Sequence, residues 1–129
     1  MKILVIGSFI FLLSGCFIYS SKDDCIYGLT STQCFGEVYP SIARYQKPYS
    51  LGKTNAVQRR KDIESCGGFF SKDESIDYEI KGLRDKNGKI ILQVAEDFRN
   101  CMKNKGYIYF SNAECGRKNS KTDKGICNE

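Results

Sequence analysis

Hydrophobic residues recur at helical spacing in the second half of the chain. The apolar positions there are Ile91, Val94, Phe98, Cys101 and Met102. Their offsets of i, i+3, i+7, i+10 and i+11 place them on one face of an α-helix. Gly106 follows as a C-terminal cap, and Lys105 lies favourably near the negative end of the helix dipole. The pattern predicts an amphipathic helix over residues 91–105.

A second helix is predicted over residues 54–65. Thr54 is a suitable N-terminal cap, and Gly67-Gly68 ends the helix. The apolar face of this helix is thin, because Ala56, Ile63 and Cys66 alone share one side. The thiol of Cys66 is therefore expected at the end of the buried stripe.

Shorter signals lie between and around these helices. Residues 25–52 contain glycine and proline without a sustained period, and we predict that they are mostly loop. Residues 107–110 are aromatic and β-branched, which predicts a short extended segment that packs on the helices.

The segment from residue 72 to residue 92 fits two kinds of structure. Ile76, Tyr78 and Ile80 alternate as in a strand, whereas Ile76, Ile80 and Leu83 fit a helix. Residues 85–88 (Asp-Lys-Asn-Gly) form a turn in either case, and we favour a β-hairpin around it. The fold expected overall is small, disulfide-rich and mainly α, with two helices, a short β-hairpin and long loops.

The first 15 residues have the pattern of an export signal. Lys2 precedes a run that is mostly apolar from Ile3 to Leu13, which is shorter than the roughly 20 residues of a transmembrane helix. Residues 13–16 (Leu-Ser-Gly-Cys) follow, and they resemble the lipobox of bacterial lipoproteins. The alternative is an ordinary cleaved signal whose Cys16 forms a disulfide.

The lipobox resemblance implies a division of the chain and a location. Residues 1–15 are expected to be a lipoprotein signal peptide, residues 16–24 a lipidated N-terminus and tether, and residues 25–129 a periplasmic or surface domain. Lipidation of Cys16 would anchor the chain in a membrane through several acyl chains, because one chain alone binds only weakly. Phe17 stands where an aspartate usually marks retention at the inner membrane, so the resemblance implies lipid anchoring at the outer membrane.

Setting Cys16 aside leaves an even number of cysteines. The six are Cys25, Cys34, Cys66, Cys101, Cys115 and Cys127. In an exported chain, an even set predicts structural disulfides, although their connectivity stays open. We favour local pairing of Cys25 with Cys34 and of Cys115 with Cys127, since local pairs need no assumption about the fold.

The chain also resembles a group of small bacterial lipoproteins of the proteobacterial type, many of them uncharacterised. In that group a basic helix ends in cysteine, and a later helix reads Cys-Met, two variable residues, Lys-Gly and an aromatic, as residues 101–107 do here. The resemblance implies a disulfide between Cys66 and Cys101, and both cysteines lie on apolar faces of helices that must pack together. The tryptophan common in the group is absent, and Tyr45 or Tyr49 is expected in its place.

The charge of the chain bears on its partners. The sequence has 20 Lys and Arg, and loss of Lys2 with the signal leaves 19 against 15 Asp and Glu. Two stretches are strongly basic: Arg44, Lys47, Lys53, Arg59, Arg60 and Lys61, and later Arg117, Lys118, Lys121 and Lys124. Outside the cytoplasm, we expect no nucleic-acid partner. The charges form either a solvated surface, which is favoured, or a patch for an acidic protein or an anionic envelope component.

Several kinds of catalytic and metal chemistry are poorly supported. The chain has no histidine, which excludes Ser/His/Asp and Cys/His catalysis, and no two cysteines have C-x-x-C spacing. Six carboxylates could pair as in a glycosidase, but they are interleaved with lysines on predicted solvent faces: Asp73, Glu74, Asp77, Glu79, Glu96 and Asp97. We therefore expect no enzyme activity, no cofactor and no metal.

The leading hypothesis is a membrane-anchored, non-enzymatic lipoprotein that binds or inhibits a protein or another envelope component. The alternative is a structural accessory subunit of an envelope assembly for secretion, pilus formation or conjugation. A small hydrolase that acts through paired carboxylates is the third hypothesis.

Overall fold

A computed structural model describes residues 17–71 and 77–129 of the protein. The predicted signal peptide and the predicted lipidation site Cys16 lie outside the described residues, as do Asp73, Glu74 and Ile76. Within the described part of the chain, no helix has the length and apolar character needed to cross a bilayer.

The first sheet consists of three short antiparallel strands. β1 is Ile18–Ser20, β2 is Cys25–Tyr27 and β3 is Thr32–Cys34, in the spatial order β1-β2-β3. Strand β1 lies within the segment expected to be a tether. Cys25 is directly opposite Cys34 in the register of β2 and β3.

The other strands form three antiparallel pairs. β4 (Glu37–Val38) pairs with β9 (Arg117–Lys118), β5 (Tyr45–Gln46) with β8 (Ile108–Tyr109), and β6 (Gly68–Phe70) with β7 (Tyr78–Ile80). A 3₁₀ helix over Ser41–Arg44 leads directly into β5. Strand β8 lies within residues 107–110, so the extended segment predicted there is confirmed.

The two predicted helices are present, with small changes at their ends. α1 is Ala56–Ser65, and α2 is Leu92–Asn104. Asn55 rather than Thr54 caps α1, because the Asn55 side chain accepts a hydrogen bond of 2.9 Å from the backbone N–H of Gln58. A third, short helix, α3 (Asn112–Cys115), begins with a capping box between Ser111 and Glu114.

The prediction of a mainly α fold is wrong, because the structure is mixed α/β, with 29% helix and 23% strand. The strands that the sequence analysis missed are only two or three residues long, which is too short to produce a visible alternation of apolar and polar side chains. Several of them lie in the segment at residues 25–52 that was predicted to be mostly loop.

The region of the predicted β-hairpin is arranged differently as well. Strand β7 pairs with β6 instead of pairing across the turn at residues 85–88. That turn is closed by one isolated bridge between Arg84 and Ile90. The Asp85 carboxylate accepts hydrogen bonds from the backbone N–H groups of Asn87 and Lys89, at 2.8 and 3.0 Å.

The described residues form two hydrophobic clusters. The larger contains Ile42, Tyr45, Ile63, Phe98, Met102 and Tyr107. The smaller contains Tyr39, Ala43, Cys115 and Cys127. The 3₁₀ helix joins them, since Ile42 belongs to one cluster and Ala43 to the other. Of the two tyrosines expected to replace the missing tryptophan, Tyr45 is buried and Tyr49 is exposed.

A polar cluster links α1 to the C-terminal segment. Arg59 is completely buried, and its guanidinium donates hydrogen bonds to the carbonyls of Tyr45 at 3.2 Å and Asn128 at 2.7 Å. The Asn128 side chain donates to the Thr54 carbonyl at 2.9 Å and accepts from the Thr54 N–H at 3.1 Å. Gln46, also buried, donates to the Ala43 carbonyl at 2.6 Å. The terminal nitrogens of Arg59 and the side chains of Gln46 and Asn128 therefore have partners, whereas the buried Nε of Arg59 has none among the described residues.

Three disulfides join the six cysteines of the described residues. The pairs are Cys25 with Cys34, Cys66 with Cys101, and Cys115 with Cys127. The prediction that this chain is disulfide-bonded is confirmed. Cys66 follows α1 and Cys101 lies in α2, so that bond holds the two main helices together. The other two bonds close local loops.

The disulfides are expected to differ in their contribution to stability. A cross-link restricts the unfolded chain more when it closes a longer loop. The sequence separation is 35 residues for Cys66 and Cys101 and nine for Cys25 and Cys34. We expect Cys66→Ala/Cys101→Ala to lower the free energy of unfolding by about 4 kcal/mol, and Cys25→Ala/Cys34→Ala by about 2.5 kcal/mol. Urea denaturation would measure both, and an equal or larger loss for the second pair would contradict this ranking.

Candidate binding groove

A group of large apolar side chains is exposed around the start of α2 and along β8. It comprises Ile90, Ile91, Leu92, Ile108 and Tyr109. Leu92 is the most exposed, at 76%. A single exposed apolar residue is ordinary, whereas a group beside a concave surface indicates a binding site.

Two adjoining depressions lie among these side chains, and we call them together the groove. The first, of about 370 Å³, is lined by Tyr45, Tyr78, Ile80, Leu83, Ile90, Leu92, Ala95, Phe98, Arg99 and Tyr109. The second, of about 310 Å³, is lined by Tyr45, Arg99, Lys103, Tyr107, Ile108 and Tyr109. They share Tyr45, Arg99 and Tyr109, so the two form a continuous surface.

Helix α2 supplies one side of the groove because its apolar stripe is longer than the core it covers. Phe98 and Met102 are buried, but Ile91 near the start of the same stripe is exposed, and Leu92 lines the groove. The predicted helix is therefore correct, while its first turn faces the groove and solvent instead of the core.

Aromatic rings form the floor of the groove. The ring of Tyr45 lies 4.6 Å from that of Tyr109 and 6.2 Å from that of Phe98, measured between centroids. Tyr78 stacks on Phe98 at 5.2 Å. These distances fall in the range of favourable aromatic pairs. Burial raises the pKa values of Tyr45 and Tyr78, so both hydroxyls stay protonated at neutral pH.

Cations surround this floor. Arg99 and Lys103 are four residues apart on α2 and line the groove, and the guanidinium of Arg44 lies 4.8 Å from the ring centroid of Tyr109. That distance is within the range of a cation–π interaction. No carboxylate occurs among the residues that line the two depressions. The groove thus combines an apolar, aromatic floor with positive charge.

A hydrogen-bond network fixes Tyr107, which forms one wall of the groove. The hydroxyl of Tyr107 donates to Asp62 at 2.8 Å, and Lys105 and Gln58 donate to the same carboxylate at 3.2 Å each. Burial of Asp62 opposes its ionisation, but the hydrogen bonds outweigh that effect and hold its pKa below the usual value. The ammonium of Lys47 lies 4.4 Å from the Tyr107 ring centroid.

The basic residues singled out in the sequence do not form a common patch. Arg59 is buried, Arg44 and Lys47 lie over tyrosine rings, and the guanidinium of Arg60 lies over Phe70. The four C-terminal cations are engaged within the chain: Arg117 with Gly36, Lys118 with Glu129, Lys121 with Ser21 and Lys124 with Ala113. Arg99 and Lys103, which sequence reasoning missed, border the groove instead. Their spacing of four residues beside the predicted apolar stripe was the available signal.

Four of the six carboxylates considered for a glycosidase lie in the described part of the chain, and one of them binds the backbone. Asp77 accepts hydrogen bonds from the backbone N–H groups of Ser41 and Ile42, at 2.9 and 3.1 Å, at the start of the 3₁₀ helix. Glu79, Glu96 and Asp97 are exposed. Within residues 17–71 and 77–129, no group of histidine, cysteine or acidic side chains has an arrangement that could hold a metal ion.

A broader depression of about 700 Å³ lies between the β6–β7 pair and residues 82–84. Its lining includes Phe69, Tyr78 and Glu79, which flank residues 72–76 in sequence.

Comparison with known proteins gives no guide to the site, since no protein-family model, curated protein or solved structure matches this chain.

The hydrogen bond between Tyr107 and Asp62 makes a testable contribution to stability. A carboxyl whose pKa is lower in the folded chain stabilises the fold above its unfolded pKa, here ordinarily 3.8, and loses that effect as pH falls through the folded pKa. We expect Tyr107→Phe to lower the free energy of unfolding at pH 7 by about 1.5–3 kcal/mol. The loss should shrink as the pH falls below 3.8 and towards the lower pKa that Asp62 has in the folded chain.

Urea denaturation at several pH values would measure this effect. The matched control is Tyr49→Phe, which removes the hydroxyl of a tyrosine that is 82% exposed. It should change stability by less than about 0.5 kcal/mol at every pH. A Tyr107→Phe loss that does not depend on pH would show that Asp62 is not the relevant partner.

Proposed function

We propose that this protein is an exported, non-enzymatic lipoprotein, anchored at the outer membrane through Cys16, that uses the groove to bind an acidic segment of an envelope protein. The observation that carries the proposal is the combination of exposed Leu92 and Tyr109 with Arg99 and Lys103 in one concave surface. If the bound segment belongs to the functional surface of the partner, binding would inhibit that partner.

The chemistry of the groove favours a protein partner over a small polar ligand. Protein interfaces typically have an apolar centre with aromatic anchors, surrounded by a polar rim, and tyrosine and arginine are enriched among their strongest contacts. The groove has this composition, because aromatic rings form its floor and aliphatic side chains its edge. Two cations, Arg99 and Lys103, also line it, and its lining residues include no carboxylate.

The positive rim also favours an acidic partner over a basic one. A glutamate or aspartate that reaches Arg99 could accept a bidentate hydrogen bond from the guanidinium, while a neighbouring leucine or phenylalanine occupies the apolar floor. Charge complementarity of this kind speeds association and rejects partners of the wrong charge. The occupant is therefore a segment in which acidic and large apolar residues are interleaved.

Separate observations support the proposal that Cys16 carries a lipid anchor. Residues 13–16 have the lipobox pattern, and the other six cysteines are paired with one another. Cys16 is the cysteine left over by this pairing, as a lipidation site requires.

Mass spectrometry of the protein purified from bacterial membranes tests the anchor. We expect the chain to begin at Cys16 and to carry a diacylglyceryl group on the thiol and an acyl group on the new N-terminus. A chain that begins elsewhere, or a Cys16 that carries no lipid, would contradict this part of the proposal without affecting the groove.

Binding of synthetic peptides tests the groove. The probes are peptides that interleave Glu or Asp with Leu or Phe, and matched peptides in which Gln and Asn replace the acids. We expect the acidic set to bind preferentially, and binding to fall at least tenfold in Arg99→Glu/Lys103→Glu and in Leu92→Asp. It should also weaken as salt is raised, because the rim charges are exposed.

The matched control for the charge reversal is Lys53→Glu/Lys61→Glu, which changes net charge equally at two exposed residues outside the groove. This variant should bind nearly as well as the unaltered protein. Equal losses in the two double variants would mean that net charge alone drives binding, and absence of any preference for acidic peptides would refute the proposed partner.

A further inference from the structure

The sheet formed by β1, β2 and β3 has two unlike faces. Its register places Cys25, Tyr27 and Cys34 on one face, and Tyr19 and Ile26 on the other. Cys25 is buried, and the first face borders the segment from residue 112 to residue 117. The part of this face around Cys25 therefore packs towards the rest of the domain, while Ile18 and Tyr27 at its other end are exposed.

The second face carries exposed aromatic rings, and we call Phe17, Tyr19 and Phe35 the aromatic face. Phe17 and Phe35 continue the alternation of β1 and β3 by two residues from Tyr19 and Gln33. The rings of Tyr19 and Phe35 meet edge to face, with centroids 6.2 Å apart. The three side chains are 74%, 54% and 51% exposed, in sequence order.

Phe17 lies across Gly28 at one end of this sheet. An atom at the Cβ position of Gly28 would be 3.1 Å from Cε1 of Phe17, so the ring rests on the glycine backbone. Leu29, in the turn between β2 and β3, is 89% exposed at the same end. The end of the sheet that carries Phe17 and Leu29 is therefore its most apolar end.

This end is also the one nearest to Cys16. Adjacent Cα atoms in a chain are about 3.8 Å apart, so Cys16 must lie next to Phe17. Strand β1 begins at Ile18, and its pairing with β2 makes it part of the folded sheet. No spacer thus separates the folded sheet from Cys16. A lipid on that residue would hold the aromatic face close to the bilayer.

We propose that the aromatic face docks on the lipid bilayer and inserts its rings at the boundary between headgroups and acyl chains. The inference rests on the proposed lipidation of Cys16, which brings the face to the membrane. Tyrosine suits this boundary because its ring is apolar and its hydroxyl is polar, and phenylalanine adds apolar area that inserts among the acyl chains. Leu29 adds an aliphatic contact at the same end. The chain would then be held by its lipid and by the surface of the sheet together.

The absence of tryptophan from the sequence provides a selective probe. In the variant Phe35→Trp, the single indole reports from the aromatic face. The full chain would be produced with its own N-terminal segment, purified from membranes and reconstituted in phosphatidylcholine vesicles with brominated acyl chains. Bromine quenches tryptophan emission at short range, so a docked face should show at least twofold more quenching than a position in water.

The control reporter is Tyr49→Trp, because Tyr49 is 82% exposed and lies between β5 and α1, away from the sheet. We expect strong quenching for Phe35→Trp and for a second reporter, Tyr19→Trp, and little for the control. Adding Leu29→Asp to Phe35→Trp should reduce quenching at least twofold. Leu29 is nearly fully exposed, so this change leaves the fold intact.

Equal quenching at positions 35 and 49 would overturn the docking proposal. Circular dichroism would verify that each reporter variant is folded. If one of the two aromatic-face reporters does not fold, the other still tests the proposal. Mass spectrometry of the same preparations reports separately whether Cys16 carries lipid. If Cys16 is unmodified, the anchor proposal fails, while the difference between the reporters still decides whether the aromatic face contacts lipid.

Discussion

Arg59 is completely buried, and its guanidinium donates hydrogen bonds to carbonyls from two distant parts of the chain. Moving a charge out of water costs several kcal/mol, so the fold must provide polar partners at this point. Strand β5 provides one carbonyl through Tyr45, and the C-terminal segment provides the other through Asn128. Helix α1, strand β5 and the C-terminal segment therefore have to assemble together.

Helix α1 also positions two residues of the groove. Arg59 holds the backbone of Tyr45, whose ring lies in the floor, and Asp62 holds the hydroxyl of Tyr107, which forms a wall. Both residues lie on the buried side of α1, three positions apart. A surface whose aromatic side chains are already fixed loses less conformational entropy when a ligand binds. The polar interior thus contributes to the shape of the surface as well as to stability.

Sequence reasoning located the helices better than the strands. Helix α2 was visible because Phe98 and Met102 belong to a repeated apolar pattern, whereas a strand such as Tyr45–Gln46 offers two residues and no period. The buried side of α1 was predicted through Ile63, which is fully buried. The burial of Arg59 and Asp62 was not visible, because charged residues are normally on the outside of a helix. Their burial depends on partners more than 40 residues away.

The groove was hidden for a related reason. Most of its residues come from β5, β7, α2 and β8, and periodicity within one segment cannot show which segments meet. The cysteines were more informative. Their even number after removal of Cys16 predicted disulfides, and the structure joins the same three pairs that were favoured from spacing and resemblance.

The position of Asn128 also affects the order in which the molecule can fold. A chain is synthesised from its N-terminus, so Arg59 emerges long before the carbonyl of residue 128 that it requires. Until then, the first half of the domain has a cation that it cannot bury. The nascent polypeptide is therefore kept from completing its interior early. Closure of the interior thus waits for the arrival of the C-terminal segment at the guanidinium.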